Sequence, residues 1–159
     1  MKKFLIIILL FSFCNTGYAE LLWTNIPCEE EFKMGLIPAE NYPEDNDICG
    51  SPKYTIIDTT DMNEAYSMLL SEVLCPEKEA KYDYCQATPK ILPKNDKRIK
   101  FADYCFDNEG GICYITFKYN GKYSFDLSYT SACFEGTQDV YRFEKINNKI
   151  KVTKWYFQC

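Results

Sequence analysis

Histidine is absent from all 159 residues. Its absence removes Ser-His and Cys-His nucleophile pairs, histidine-ligated zinc and imidazole acid–base work together. The sequence also lacks G-x-S-x-G, S-x-x-K, P-loop and G-x-G-x-x-G patterns, so the usual nucleophile-elbow and nucleotide-binding signatures are missing. No C-x-x-C occurs, which argues against thioredoxin-like redox chemistry, c-type haem attachment and common zinc knuckles. No N-x-S/T sequon occurs either, so nothing suggests a glycosylated protein. No apolar run approaches the roughly 20 residues that cross a bilayer as a helix.

The longest such run, Phe4 to Phe11, follows Lys2-Lys3 and leads to Gly17-Tyr18-Ala19. A basic start, a short apolar segment and a small-x-small ending form a secretory signal. The sequence therefore predicts a signal peptide over residues 1–19 and a single disulfide-rich domain over residues 20–159. Acylation at Cys14 is disfavoured, because the bulky Phe13 precedes it. Removing 19 of the 159 residues leaves 140 and discards two lysines, which moves the net charge from −5 to −7. An acidic chain lacks the basic footprint that nucleic acid or anionic lipid demands.

Of nine cysteines, eight follow the signal: Cys28, Cys49, Cys75, Cys85, Cys105, Cys113, Cys133 and Cys159. An even number of widely spread cysteines in an exported chain reads as structural disulfides, here four. The Lys-, Asn- and Ile-rich composition suggests a bacterium with an AT-rich genome. Disulfides then point to the periplasm or to secretion.

Two halves are distinguishable, with no linker between them. Glu20 to about Lys100 reads as irregular and helical. Pro27 opens a short helix through Met34, and the Pro-, Asn- and Asp-rich stretch from Ile37 to Pro52 is loop. Lys53 to Ile57 forms a short strand. The clearest helix begins at Asp61, a cap that Glu64 can answer. Met62, Ala65, Leu69 and Val73 form its apolar stripe, widened by Tyr66 and Leu70, and Cys75-Pro76 ends it. A further short helix lies within Glu77 to Tyr84, before a proline-marked loop at Thr88 to Lys94. The second half reads as four strands: Ile112 to Lys118, Lys122 to Thr130, Val140 to Ile146 and Lys149 to Phe157. The fold class expected is α+β, an N-terminal helical and irregular half packed on a four-stranded antiparallel meander.

Register follows from the need for apolar residues to share a face. A three-residue loop at Tyr119-Asn120-Gly121 opposes Phe117 to Tyr123 and Ile115 to Phe125, with Gly121 at positive φ. A two-residue Asn147-Asn148 turn opposes Phe143 to Val152 and Lys145 to Ile150. The capped helix covers this face. The opposite face carries Tyr114, Arg142 and Trp155, side chains enriched at binding hot spots. Trp155 is then either part of a partner site or part of a second small core closed by the segment around Trp23 and Ile26.

Charge clusters give weaker signals. The segment from Cys28 to Cys49 is acidic, and Lys90, Lys94, Lys97, Arg98 and Lys100 form a basic stretch; both read most simply as solvated loops. Asp45-Asn46-Asp47 and the stretch Asp107 to Gly111 lack calcium-loop spacing. No metal or cofactor is implied. These features describe an exported, non-catalytic binding protein of the bacterial envelope, of inhibitor or immunity type, with a protein partner. The alternatives are a secreted hydrolase using a carboxylate pair and a structural envelope protein.

Overall fold

Alternation of apolar and polar residues through the second half produces one continuous antiparallel sheet in the computed structural model, which describes residues 21–27, 52–104, 110–130 and 138–157. The strands are β1 (Thr24–Asn25), β2 (Lys53–Ile57), β3 (Lys97–Tyr104), β4 (Gly110–Gly121), β5 (Ser124–Thr130), β6 (Gln138–Ile146) and β7 (Lys149–Phe157). Their order is β1-β2-β7-β6-β5-β4-β3. Five consecutive strands form a meander, and β2 with β1 extends it beyond β7. The expected four-stranded meander is thus corrected to a seven-stranded sheet. Among the described residues two α-helices, α1 (Met62–Leu69) and α2 (Asp83–Ala87), accompany it.

The missed strand β3 carries Lys97, Arg98 and Lys100 of the basic stretch that reads as loop. Ile99 and Phe101 pair with Ile115 and Cys113, so they take the core parity while Arg98 and Lys100 take the other. Lysine and arginine on an edge strand hinder pairing with a foreign strand. β2 was legible as a strand, but its pairing with β7 was not.

The second hairpin has the expected register: Phe143 opposes Val152 and Lys145 opposes Ile150, with Asn147 at φ 55. The first hairpin differs. Gly121 opposes Ser124 across a two-residue Lys122-Tyr123 turn, and a bulge at Asn120 restores parity, so Tyr119 opposes Phe125 and Phe117 opposes Leu127. The bulge does what a three-residue loop was expected to do, which is to keep Ile115, Phe117, Phe125 and Leu127 on one face. Tyr123 falls in the turn and is exposed. Gly121 has φ 141, and a Cβ added there would meet nothing within 4 Å. Gly121→Val therefore costs about 1 kcal/mol or more through backbone strain alone. A urea midpoint unchanged from wild type would contradict this.

α1 is capped as its sequence suggests: the Asn63 amide donates to Asp61 Oδ1 at 2.8 Å. Glu64 does not answer Asp61 directly. It accepts from the Thr59 hydroxyl, which itself accepts from the Asp61 amide. After Leu69 the chain makes a wider π turn over Leu70–Leu74 and stops at Cys75. Ala65, Tyr66 and Leu69 are wholly buried against Phe117, Phe125, Phe143, Ile150 and Val152. Each of the larger apolar side chains contributes roughly 1.5–3 kcal/mol by leaving water, and the Ala65 methyl about 0.8 kcal/mol. Leu21 and Trp23 pack on the same core, and the Leu21 amide donates to Glu72 at 3.1 Å.

Cys75 and Cys85 form a disulfide with Cα atoms 5.4 Å apart. It ties the end of the π turn to α2 across a 3₁₀ turn at Glu77–Glu79. Cys113 is buried with a free thiol, unlike the fully paired set expected. Cys28, Cys49, Cys105, Cys133 and Cys159 lie outside the described residues, as do the expected signal peptide over residues 1–19, residues 28–34 of the expected first helix, the acidic segment, Asp45-Asn46-Asp47 and Asp107 to Glu109. Among the described residues no helix is long and apolar enough to cross a membrane.

Candidate functional site

The three residues singled out by sequence share the face opposite α1, as the pairing requires, but they do not form one exposed patch. Trp155 opposes Val140, and Val140 opposes Ser128. Trp155 is 5 % exposed, Val140 6 %, Ser128 8 % and Thr153 0 %. These residues form a second, smaller core. Ile26 and Pro52 continue it, since the Ile26 amide donates to the Pro52 carbonyl at 2.8 Å and both are buried. Trp23 instead turns to the main core, so the two candidate cover residues divide between the faces.

Arg142 is half-buried. It donates through Nε and Nη2 to the two oxygens of Asp126 at 2.8 and 3.1 Å, and its guanidinium lies 5.1 Å from the Trp155 ring centre. Hydrogen bonding to Asp126 holds it charged beyond its ordinary range. Tyr114 lies under Arg98, 3.8 Å from the ring centre. It pairs with Thr130 while Arg142 pairs with Asp126, four residues or roughly 13 Å along β5. Arg142 is thus spent on an internal pair and Trp155 is covered. The Thr153 hydroxyl is buried without a partner among the described residues. Thr153→Val, which swaps that hydroxyl for a methyl, leaves stability unchanged or raises it by up to about 1 kcal/mol. A clear loss in chemical denaturation would reveal an unseen partner.

A different place gathers chemistry. Beside the π turn that follows α1 lies a cavity of about 280 Å³. Val73 and Leu74 of the π turn line one side. Glu79 and Tyr84 come from the bridged helical segment, and Phe101, Cys113, Tyr129, Asp139 and Tyr141 come from β3 to β6. Register explains the convergence. Phe101 opposes Cys113, Ile115 opposes Tyr129, and Tyr129 opposes Asp139, so all hold core parity at one end of the sheet. The Cys75–Cys85 bridge fixes the opposing wall.

The polar groups are largely engaged. Tyr84 donates to Glu79 Oε2 at 2.6 Å. Tyr129 and Thr88 share a hydrogen bond at 3.1 Å, and Thr88 also donates to the Tyr84 carbonyl. Tyr84 meets Tyr129 edge-on at 6.5 Å. Asp139 pairs with Lys154 at 3.6 Å, and the Lys154 ammonium lies 5.3 Å from the Tyr141 ring centre. Burial pushes the phenols of Tyr84, Tyr129 and Tyr141 well above the usual value of 10.0, as it does for Tyr66 in the core; Glu79 reinforces the shift at Tyr84. They are hydrogen-bond donors at neutral pH, not bases.

The shifts fix a pH dependence. Below pH 10 these phenols are protonated whether the chain is folded or unfolded. Above it the unfolded chain releases protons that the folded chain retains, so stability falls as pH rises past 10. Absorbance of tyrosinate should therefore rise in two stages, the later one coinciding with loss of circular dichroism. A single stage near pH 10 in a chain that stays folded would contradict the burial of these hydroxyls.

None of the cavity residues was singled out by sequence as a binding group; Cys113, which lines it, was expected only in a disulfide. One signal was present: in the strand pattern, Asp139 continues the core parity of Tyr141 and Phe143, where an acid is unexpected. Compared with known protein families, curated proteins and solved structures, the chain shows no match.

Proposed function

We propose that this chain is an exported, non-catalytic binding protein of the bacterial envelope, of inhibitor or immunity type, acting on a protein partner. The cavity beside the Cys75–Cys85 bridge carries this reading. Its phenols are protonated donors, Glu79 accepts from Tyr84, and Asp139 is paired with Lys154. Such groups hold and orient a ligand; they do not supply an activated nucleophile with its base. The Arg142–Asp126 pair and the buried Trp155 stiffen the sheet behind the cavity, so Tyr114, Arg142 and Trp155 serve binding through rigidity more than through contact. Export rests on the signal-like start.

Capture from the native secretome under oxidising conditions, followed by titration of the purified pair, tests the proposal. The expected result is a defined-stoichiometry complex in which the partner's activity is suppressed. Failure of every captured protein to titrate as a purified pair would overturn it. Export is checked separately, by finding Glu20 as the first residue of the extracytoplasmic form.

One observation favours a second reading. Glu79 and Asp139 border the same cavity, and paired carboxylates are the groups that glycoside hydrolysis uses. Turnover of any glycoside that disappears in both Glu79→Gln and Asp139→Asn would replace the binding proposal with this one.

A further inference from the structure

We infer that the cavity binds an alkylammonium group, one positive charge on an aliphatic stem, of the kind a lysine side chain presents. This deepens the binding reading and rests on it for the identity of the site.

Size sets the first limit. Sites for drug-sized ligands span roughly 300–1,000 Å³, so about 280 Å³ suits a single side chain or a small amine. Lining sets the second. Phe101, Tyr84, Tyr129 and Tyr141 present aromatic rings, whose negative faces attract cations, while Val73 and Leu74 offer apolar surface to a stem.

Charge sets the third. Glu79 and Asp139 bring two negative charges and Lys154 returns one positive charge at Asp139. One negative charge remains, on Glu79, whose polar partner is the Tyr84 hydroxyl and which has no basic partner among the described residues. The cavity therefore fits a monocation and rejects anions.

The chain contains an example of the contact. Lys154 is itself an ammonium on a four-carbon stem, and it sits against a carboxylate and an aromatic ring of this same cavity, Asp139 and Tyr141. A ligand ammonium would take the equivalent place between Glu79 and the Tyr84 and Tyr129 rings.

The source of the ammonium is either a partner's lysine or a free amine, and the test separates them. Calorimetric titration of the oxidised full-length protein uses Nα-acetyl-lysine N-methylamide, its uncharged norleucine counterpart and 1,5-diaminopentane. The lysine probe should bind with one-to-one stoichiometry and a dissociation constant of about 1 mM or tighter. The norleucine probe should bind at least about tenfold more weakly, and Glu79→Gln should weaken the lysine probe by about tenfold, the scale of one charge-assisted hydrogen bond. Lys154→Met frees Asp139 and should shift preference toward the diamine by about tenfold relative to the monoamine, a gain that misfolding cannot mimic. In the wild type, stronger binding of the lysine probe points to a protein side chain, and stronger binding of the diamine to a free polyamine; either order supports the ammonium chemistry. Equal binding of the norleucine probe, indifference to Glu79→Gln, or no saturation would overturn it. No partner protein enters this titration, so a failed capture leaves the inference standing. A genuine partner whose affinity ignores Glu79→Gln would sink the inference and leave the binding reading intact.

Discussion

Trp155→Ala is expected to lower stability by about 3–5 kcal/mol with no partner present, the cost of emptying a large aromatic site in a packed interior. Trp155 is 5 % exposed and lies opposite Val140, which is equally covered. Its truncation also removes the ring beneath the Arg142 guanidinium. Arg142→Ala is a useful contrast. The Arg142 and Asp126 side chains are 29 % and 20 % exposed, so water screens the pair, and losing it should cost about 1 kcal/mol. Urea denaturation of both variants reads the difference directly. A Trp155→Ala protein with wild-type stability would return this residue to the surface and restore a partner site on that face. The prediction turns on a residue that sequence could place on a face but could not declare covered.

Legibility followed how local each signal was. The Asn147-Asn148 turn carries its own chemistry, because asparagine tolerates positive φ, and the whole register of β6 and β7 follows from it. Gly121 was equally legible as a positive-φ residue, but two devices restore the same parity around it, a three-residue loop and a bulge beside a two-residue turn. The hydrophobic pattern fixes which face Phe117 takes and says nothing of whether Tyr123 or Leu127 stands opposite. β3 was hidden because its solvent-facing residues are Arg98 and Lys100, and their charge outweighed Ile99 and Phe101 in a short window. The pairing of β2 with β7 spans nearly a hundred positions of sequence, and no local pattern announces it. The cavity is less local still. It needs the ends of strands β3 to β6 and a helical wall set by one disulfide, and cysteine spacing does not reveal which cysteines pair. Tyr84, Tyr129 and Tyr141 looked like ordinary strand and helix aromatics until the fold set them around one space.

Tyr66 joins the helical layer to the sheet, and two substitutions there separate packing from hydrogen bonding. The side chain is fully buried. Its ring meets Phe117 edge-on at 5.9 Å and lies 6.5 Å from Phe143, which in turn stacks on Phe125 at 4.4 Å. Its hydroxyl donates to the Pro89 carbonyl, fastening the 88–94 loop to α1. Tyr66→Ala removes the ring and leaves a cavity between layers, and should cost about 3–5 kcal/mol. Tyr66→Phe keeps the ring and strips from the Pro89 carbonyl its one donor among the described residues, so it should cost about 1–3 kcal/mol. The two variants should also differ in where they loosen the protein. Loss of the hydroxyl alone frees the loop, so amide exchange should quicken around Leu92 while the amides of β5 and β6 keep their protection. Loss of the ring weakens the contact that holds α1 on Phe117 and Phe143, so exchange should quicken across α1 and the central strands together. Equal costs for the two variants would mean that the hydrogen bond, and not the aromatic packing, holds the layers together at this point.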